Sequence, residues 1–156
     1  MTFAEVNGAV AHYRDEGRVD ARAIVFINAL GMDLRIWDDL VGPLANAYRI
    51  VRYDKRGHGL SELPAGPALI ADYAADLAAL LDRLEVGGAV IVGLSMGGLV
   101  AQALYRQRPD LVAAMALCGT AAKIGTEESW RQLSSVPILA AVPHNAIAAT
   151  RSGRWR

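Results

Sequence analysis

Cysteine is almost absent: Cys118 is the single thiol in 156 residues, so a disulfide framework within the chain is excluded. That scarcity fits a reducing compartment, and a cytoplasmic location is expected. The opening Met1-Thr2-Phe3-Ala4-Glu5 has neither a basic start nor an apolar run, so no signal peptide is expected. Long apolar stretches are missing too, and none could span a bilayer. Net charge is zero, with sixteen Lys and Arg against sixteen Asp and Glu. This removes the electrostatic case for a nucleic acid or an anionic membrane as partner. No group of His, Cys and carboxylates has metal-ligand spacing, and no Gly-Lys-Ser/Thr follows the glycine-rich stretches to make a phosphate loop. Neither a metal nor a cofactor is expected.

One further absence divides the chain. Residues 1–128 hold all sixteen acids and twelve bases, a net charge of −4, whereas residues 129–156 hold four arginines and no acid. Hydrophobic periodicity also fails past Ser129, where Val136-Pro137 and Val142-Pro143 fence an apolar patch. The expected organisation is a partial domain over 1–128 and a divergent or frame-shifted tail without regular structure over 129–156.

At 53% hydrophobic residues, the chain can bury a sizeable core. Residues 3–6 and 10–14 read as strands joined at Asn7-Gly8, a favoured hairpin turn. Ala-Ile-Val-Phe-Ile over 23–27 reads as a buried strand. Asp33 can cap the helix that follows, in which Leu34, Trp37, Val41 and Leu44 recur at helical spacing until Gly42-Pro43 kinks or ends it. Residues 48–53 form the next strand. Ile70, Tyr73, Leu77, Leu81 and Leu84 trace the apolar stripe of another helix. A strand over 88–92, a helix over 98–108 and a strand over 112–118 complete the legible part. Cys118, in the apolar run after Ala113, reads as a buried strand residue. Such alternation indicates an α/β fold, a mostly parallel sheet with helices on both faces.

Between the strand over 88–92 and the helix over 98–108 lies Gly93-Leu94-Ser95-Met96-Gly97. A G-x-S-x-G sequence between a strand and a helix is a nucleophile elbow, which exposes its serine on a strained turn. Acyl transfer needs a nucleophile, a base, and donors for the oxyanion that develops. Ser95 supplies the first. The backbone N–H of Met96, at a helix start, can face the developing charge. A second donor is expected from the loop after the 23–27 strand, where the Leu30 N–H is the best candidate. An Asp at the elbow would have suggested a dehalogenase or an epoxide hydrolase; Ser95 excludes that reading.

Ile27-Asn28-Ala29-Leu30-Gly31-Met32-Asp33-Leu34-Arg35-Ile36-Trp37 resembles the oxyanion loop and first helix of the 3-oxoadipate enol-lactonases. Tyr53-Asp54-Lys55-Arg56-Gly57-His58-Gly59-Leu60-Ser61 and Gly93-Leu94-Ser95-Met96-Gly97-Gly98 are similar to their later motifs. Most α/β-hydrolases carry His-Gly where this chain has Asn28-Ala29. The resemblance covers residues 1–128 and implies the N-terminal part of an α/β-hydrolase fold. The implied reaction is hydrolysis of a small carboxylated enol-lactone in aromatic catabolism, the β-ketoadipate pathway, with Ser95 as nucleophile and Leu30 and Met96 as oxyanion donors. Ser-Met-Gly-Gly is shared with general serine esterases and with haloperoxidase-like members, which are the alternatives within the superfamily.

The chain also departs from that family, whose members are longer. In this fold the triad runs serine, acid, histidine. After Ser95 stand only Asp110, Glu127 and Glu128 as acids and His144 as histidine. Asp110 follows Pro109 and reads as a turn residue, while Glu127, Glu128 and His144 precede or sit within unpatterned sequence. No triad acid or histidine is therefore identified, and an inactive fragment is the third reading. His58 is expected to shape the Arg-Gly-His-Gly turn, and His12 to be structural or exposed. Asp54 and Arg56 are expected to brace that turn locally. Arg35 can bind a substrate carboxylate or simply lie on the helix surface, and Trp37 can line the pocket or pack in the core. The 112–118 strand is expected to lack an outer neighbour, which leaves a free edge for self-association.

Overall fold

The computed structural model describes residues 1–63, 66–124 and 126. Glu127, Glu128, His144 and the expected tail over 129–156 lie outside the described residues.

The chain opens with a hairpin of β1 (Thr2–Val6) and β2 (Ala9–Gly17). Asn7 and Gly8 both have positive φ, 49° and 73°, as a tight turn matched to right-handed strand twist requires. Next come β3 (Ala23–Ile27), a 3₁₀ turn over Leu34–Trp37, α1 (Asp38–Ala45) and β4 (Arg49–Tyr53). Asp33 caps the 3₁₀ turn by accepting the Arg35 N–H, and α1 ends two residues past Pro43. Then follow α2 (Ile70–Arg83), β5 (Ala89–Leu94), α3 (Met96–Gln107) and β6 (Val112–Cys118).

The six strands form one sheet in the order β1-β2-β4-β3-β5-β6. The hairpin is antiparallel and joins β4 antiparallel; β4, β3, β5 and β6 run parallel. Side chains alternate between faces with period two, so each face of β3 enters a different core. Val25 and Ile27 pack with Val51, Ile91, Leu77, Leu81, Val100 and Leu104, under α2 and α3. Ile24 and Phe26 pack with Ile50 and Trp37, against Val41 and Leu44 of α1. Helices thus cover both faces, as the alternation pattern requires.

In β6, Cys118 departs from expectation. Met115 and Leu117 are 38% and 44% exposed, and Cys118 is exposed rather than buried. The cause is position: β6 lies at the end of the sheet, pairing β5 on one side and no strand on the other among the described residues. The apolar run makes a strand, as expected, and without an outer neighbour among the described residues it stays uncovered.

Candidate active site

The topology places one crevice. From β3 the chain crosses through α1 to β4 on one side, whereas from β5 it crosses through α3 to β6 on the other. Connections that leave adjacent parallel strands in opposite directions open a cleft at their carboxyl ends, the usual ligand position in such sheets. Ile27 is aligned with Gly93, so the loop after β3 and the turn after β5 stand side by side there.

Ser95 occupies that turn, between β5 and α3, with φ 54° and ψ −118°. A non-glycine residue with such dihedrals carries roughly 1–3 kcal/mol of strain, which its surroundings must hold. Its N–H donates to the Cys118 carbonyl (2.9 Å), and its carbonyl accepts the Gly98 N–H (2.9 Å). Three glycines let the backbones close around it. A Cβ on Gly93 would sit 2.5 Å from the Gly97 carbonyl oxygen, one on Gly97 would overlap the Ile27 carbonyl, and one on Gly98 would overlap the Thr120 side chain. The serine is half-buried at the start of α3. Met96, the first helical residue, has an N–H that no turn of its own helix can satisfy.

The loop over residues 28–31 is braced from three directions. Asn28, fully buried, donates from Nδ2 to the Met32 carbonyl (2.5 Å). The Met32 N–H donates to the Ala29 carbonyl (3.3 Å). Lys55, 1% exposed, donates from Nζ to the carbonyls of Asn28 (2.9 Å) and Ala29 (3.2 Å). Gly31 turns the chain with φ 72°, and Leu30 sits half-buried at the tip. Side-chain identity at Asn28 thus has a mechanical role: a short amide that bridges the loop it begins.

Below the loop lies a polar cluster. The Asp54 carboxylate accepts the Leu34 N–H (2.7 Å), the Leu60 N–H (3.0 Å) and His12 Nδ1–H (2.8 Å). His12 is therefore buried and structural. Arg56 reaches Asp76 of α2 with a bidentate pair, a longer brace than the local one expected. Burial pushes the Lys55 ammonium down to about 7, with Asp54 pulling the other way. His58 is lowered to about 4, first by burial and then by the Lys55 charge. It is a neutral imidazole at pH 7 and donates Nδ1–H to the Arg56 carbonyl (3.1 Å), as a turn-shaping residue should.

The other expected site residues have partners of their own. Trp37 is 7% exposed and stacks obliquely on Phe26 with ring centroids 4.8 Å apart, so the core reading holds. Arg35 is exposed and bound bidentately by Asp33, so a substrate carboxylate would have to displace that partner. Asp110 pairs with Arg108 on the surface past the far end of α3, about 18 Å of helix from Ser95. Among the described residues, no histidine or carboxylate hydrogen-bonds the Ser95 hydroxyl, and no group of three or more potential ligands gathers for a metal.

Residues 22–140 match the family described as the alpha/beta hydrolase fold. The chain belongs to that family. As an α/β-hydrolase it is 35% identical over 144 residues to 3-oxoadipate enol-lactonase 2 of Acinetobacter baylyi, a match spanning 92% of this chain and 53% of that protein. It is 36% identical over 114 residues to a non-heme chloroperoxidase of Streptomyces lividans, spanning 72% and 41%. The crystal structure of the enol-lactonase from Burkholderia xenovorans LB400 superposes with a TM-score of 0.83 at 40% identity, covering 99% of this chain and 59% of that one. The chain thus spans about half the length of the curated relatives it matches. Lys55 and the Asp54 cluster went unread in the sequence as supports of the site. The available signal was a charged pair directly after a strand, a place where charge is kept only if it is bonded.

Proposed function

We propose that this chain carries the nucleophile and oxyanion site of a serine hydrolase acting on small carboxylic esters or lactones, with an enol-lactone of the 3-oxoadipate type as the leading substrate. The observation that carries the reading is the backbone of Ser95, strained on a glycine-lined bend between β5 and α3. In the reaction, Ser95 Oγ attacks the lactone carbonyl as a base takes its proton. The carbonyl oxygen becomes an oxyanion facing the Leu30 and Met96 N–H groups, and the ring C–O bond then breaks as the leaving oxygen is protonated. Water hydrolyses the acyl-serine and releases the open acid. No cofactor enters this scheme. The base and its acid partner follow the serine in the family's chain order; among the described residues no histidine follows Ser95, and the one acid that does, Asp110, lies past the far end of α3.

The enol-lactone reading draws on the 35% identity to an Acinetobacter baylyi enol-lactonase and on the Asn28-Ala29 loop. Similarity to a non-heme chloroperoxidase supports a broader esterase as the second reading. Turnover of a carboxylated enol-lactone against p-nitrophenyl acetate separates them. The first reading expects kcat/KM at least tenfold higher on the lactone, and equal or reversed values favour the second. A chain that hydrolyses neither points to the third, an inactive fragment.

The outer edge of β6, which no strand pairs among the described residues, supports a further expectation, self-association. An apolar strand with unpaired N–H and C=O groups is a template for a second copy. At micromolar concentrations the chain is expected to elute above monomer mass in light-scattering chromatography. Met115→Lys with Leu117→Lys should return it toward monomer; an unaltered elution would remove β6 as the contact.

A further inference from the structure

We propose that Lys55 is a positioning residue for the oxyanion loop: lodged against the loop's buried side, it grips two successive carbonyls and so aims the Leu30 N–H into the crevice. The inference rests on the reading of Leu30 as an oxyanion donor.

The geometry is that of a planar trans peptide. The Ala29 C=O and the Leu30 N–H belong to one rigid unit and point in opposite directions. Fixing the oxygen therefore fixes the hydrogen. Lys55 Nζ donates to Ala29 O at 3.2 Å, and the Met32 N–H donates to the same oxygen at 3.3 Å. With both lone-pair directions occupied, that peptide plane has little freedom to rotate. The Asn28 carbonyl, 2.9 Å from the same amine, pins the preceding plane as well. Lys55 is 1% exposed, so it grips the loop from the buried side, and the Leu30 N–H points away from it.

The choice of lysine also has a physical reason. Residues 28 and 29 lie 27 and 26 positions from Lys55, and only a long, flexible side chain reaches both carbonyls from the turn after β4. A charged donor makes stronger bonds to carbonyls than a neutral one. Burial lowers the amine to about 7, while Asp54 favours the charge. His58, next to it, is neutral and adds no repulsion at pH 7. Even unprotonated, the amine keeps two N–H donors for its two carbonyls, so the clamp survives loss of the proton. A buried cation is otherwise expensive, and a methionine of similar length would fill the space without that cost.

The test is Lys55→Met in the full chain, read by ¹⁵N relaxation and by lactone hydrolysis. We expect the N–H order parameter at Leu30 to fall from about 0.85, the rigid range, to below about 0.6, while Met96 stays rigid. We expect kcat to fall about 10- to 100-fold with KM changed less than twofold, approaching the loss of one oxyanion donor. Lys55→Gln, which keeps an amide donor, should lie between the two, and it carries the comparison if Lys55→Met does not fold. A Leu30 amide as rigid in a folded variant as in the parent overturns the proposal, whatever happens to turnover. If the parent chain hydrolyses no lactone while Leu30 still loosens in the variant, the hydrolase reading fails and the positioning role stands.

Discussion

Ser95→Ala is expected to lower lactone hydrolysis by about 10⁵–10⁶-fold where a complete triad is present, leaving a residual of about 10³–10⁴-fold over water from the donors alone. Stability should change little, because no described residue hydrogen-bonds the Ser95 hydroxyl and alanine keeps the same strained Cβ. Ser95→Gly makes the sharper experiment. Glycine accepts φ 54° and ψ −118° without strain, so it should lose activity as completely as alanine yet gain stability, by about 1–2 kcal/mol in urea unfolding. An inactive variant more stable than its parent is the signature of a bend held for chemistry rather than for folding. If Ser95→Ala keeps near-normal turnover, the nucleophile lies elsewhere. If Ser95→Gly is less stable than Ser95→Ala, the dihedrals do not store the strain assigned to them.

The elbow could be read in the sequence because its glycines answer to local backbone contacts. Gly93 and Gly97 face each other across the three residues between them, and a Cβ on Gly93 has nowhere to go. The strands β3 and β4 were equally legible, since burial on both faces writes a continuous apolar or half-apolar run. What stayed hidden depends on partners distant in the chain. His12 meets Asp54 across 42 positions, and Lys55 meets the loop carbonyls across 26 and 27. No local pattern marks such a pair. Arg56 was read as a local brace, yet it spans to α2, because its guanidinium outreaches the turn it sits on. Cys118 reads as buried from its apolar neighbours, but exposure at a sheet edge is set by what lies beside the strand. Trp37 had two readings, and the register of the 3₁₀ turn against Phe26 chose the core.

Asp54→Ala is expected to destabilise the fold by about 3–5 kcal/mol, the largest stability effect of any single replacement near the site. The carboxylate serves three donors at once: the Leu34 N–H at 2.7 Å, the Leu60 N–H at 3.0 Å and His12 Nδ1–H at 2.8 Å. Each belongs to a different segment: the 3₁₀ turn after the 28–31 loop, the Arg-Gly-His-Gly turn, and the hairpin. With alanine all three lose their acceptor, the Leu34 and His12 donors in a buried space, and each buried orphan costs about 1–3 kcal/mol before relaxation. Gly59 packs so tightly on the carboxylate that no larger residue could stand there, which leaves little room for a compensating water in the parent. Asp54→Asn keeps one acceptor oxygen but turns an NH₂ toward one of the donors, so about 2–3 kcal/mol is expected from it. Urea unfolding of both variants checks the ranking. The Leu34 contact also links this cluster to the loop that presents Leu30, so the alanine variant should lose turnover as well as stability. A stability change under 1 kcal/mol for Asp54→Ala would show that the three turns are held by packing and not by the shared carboxylate.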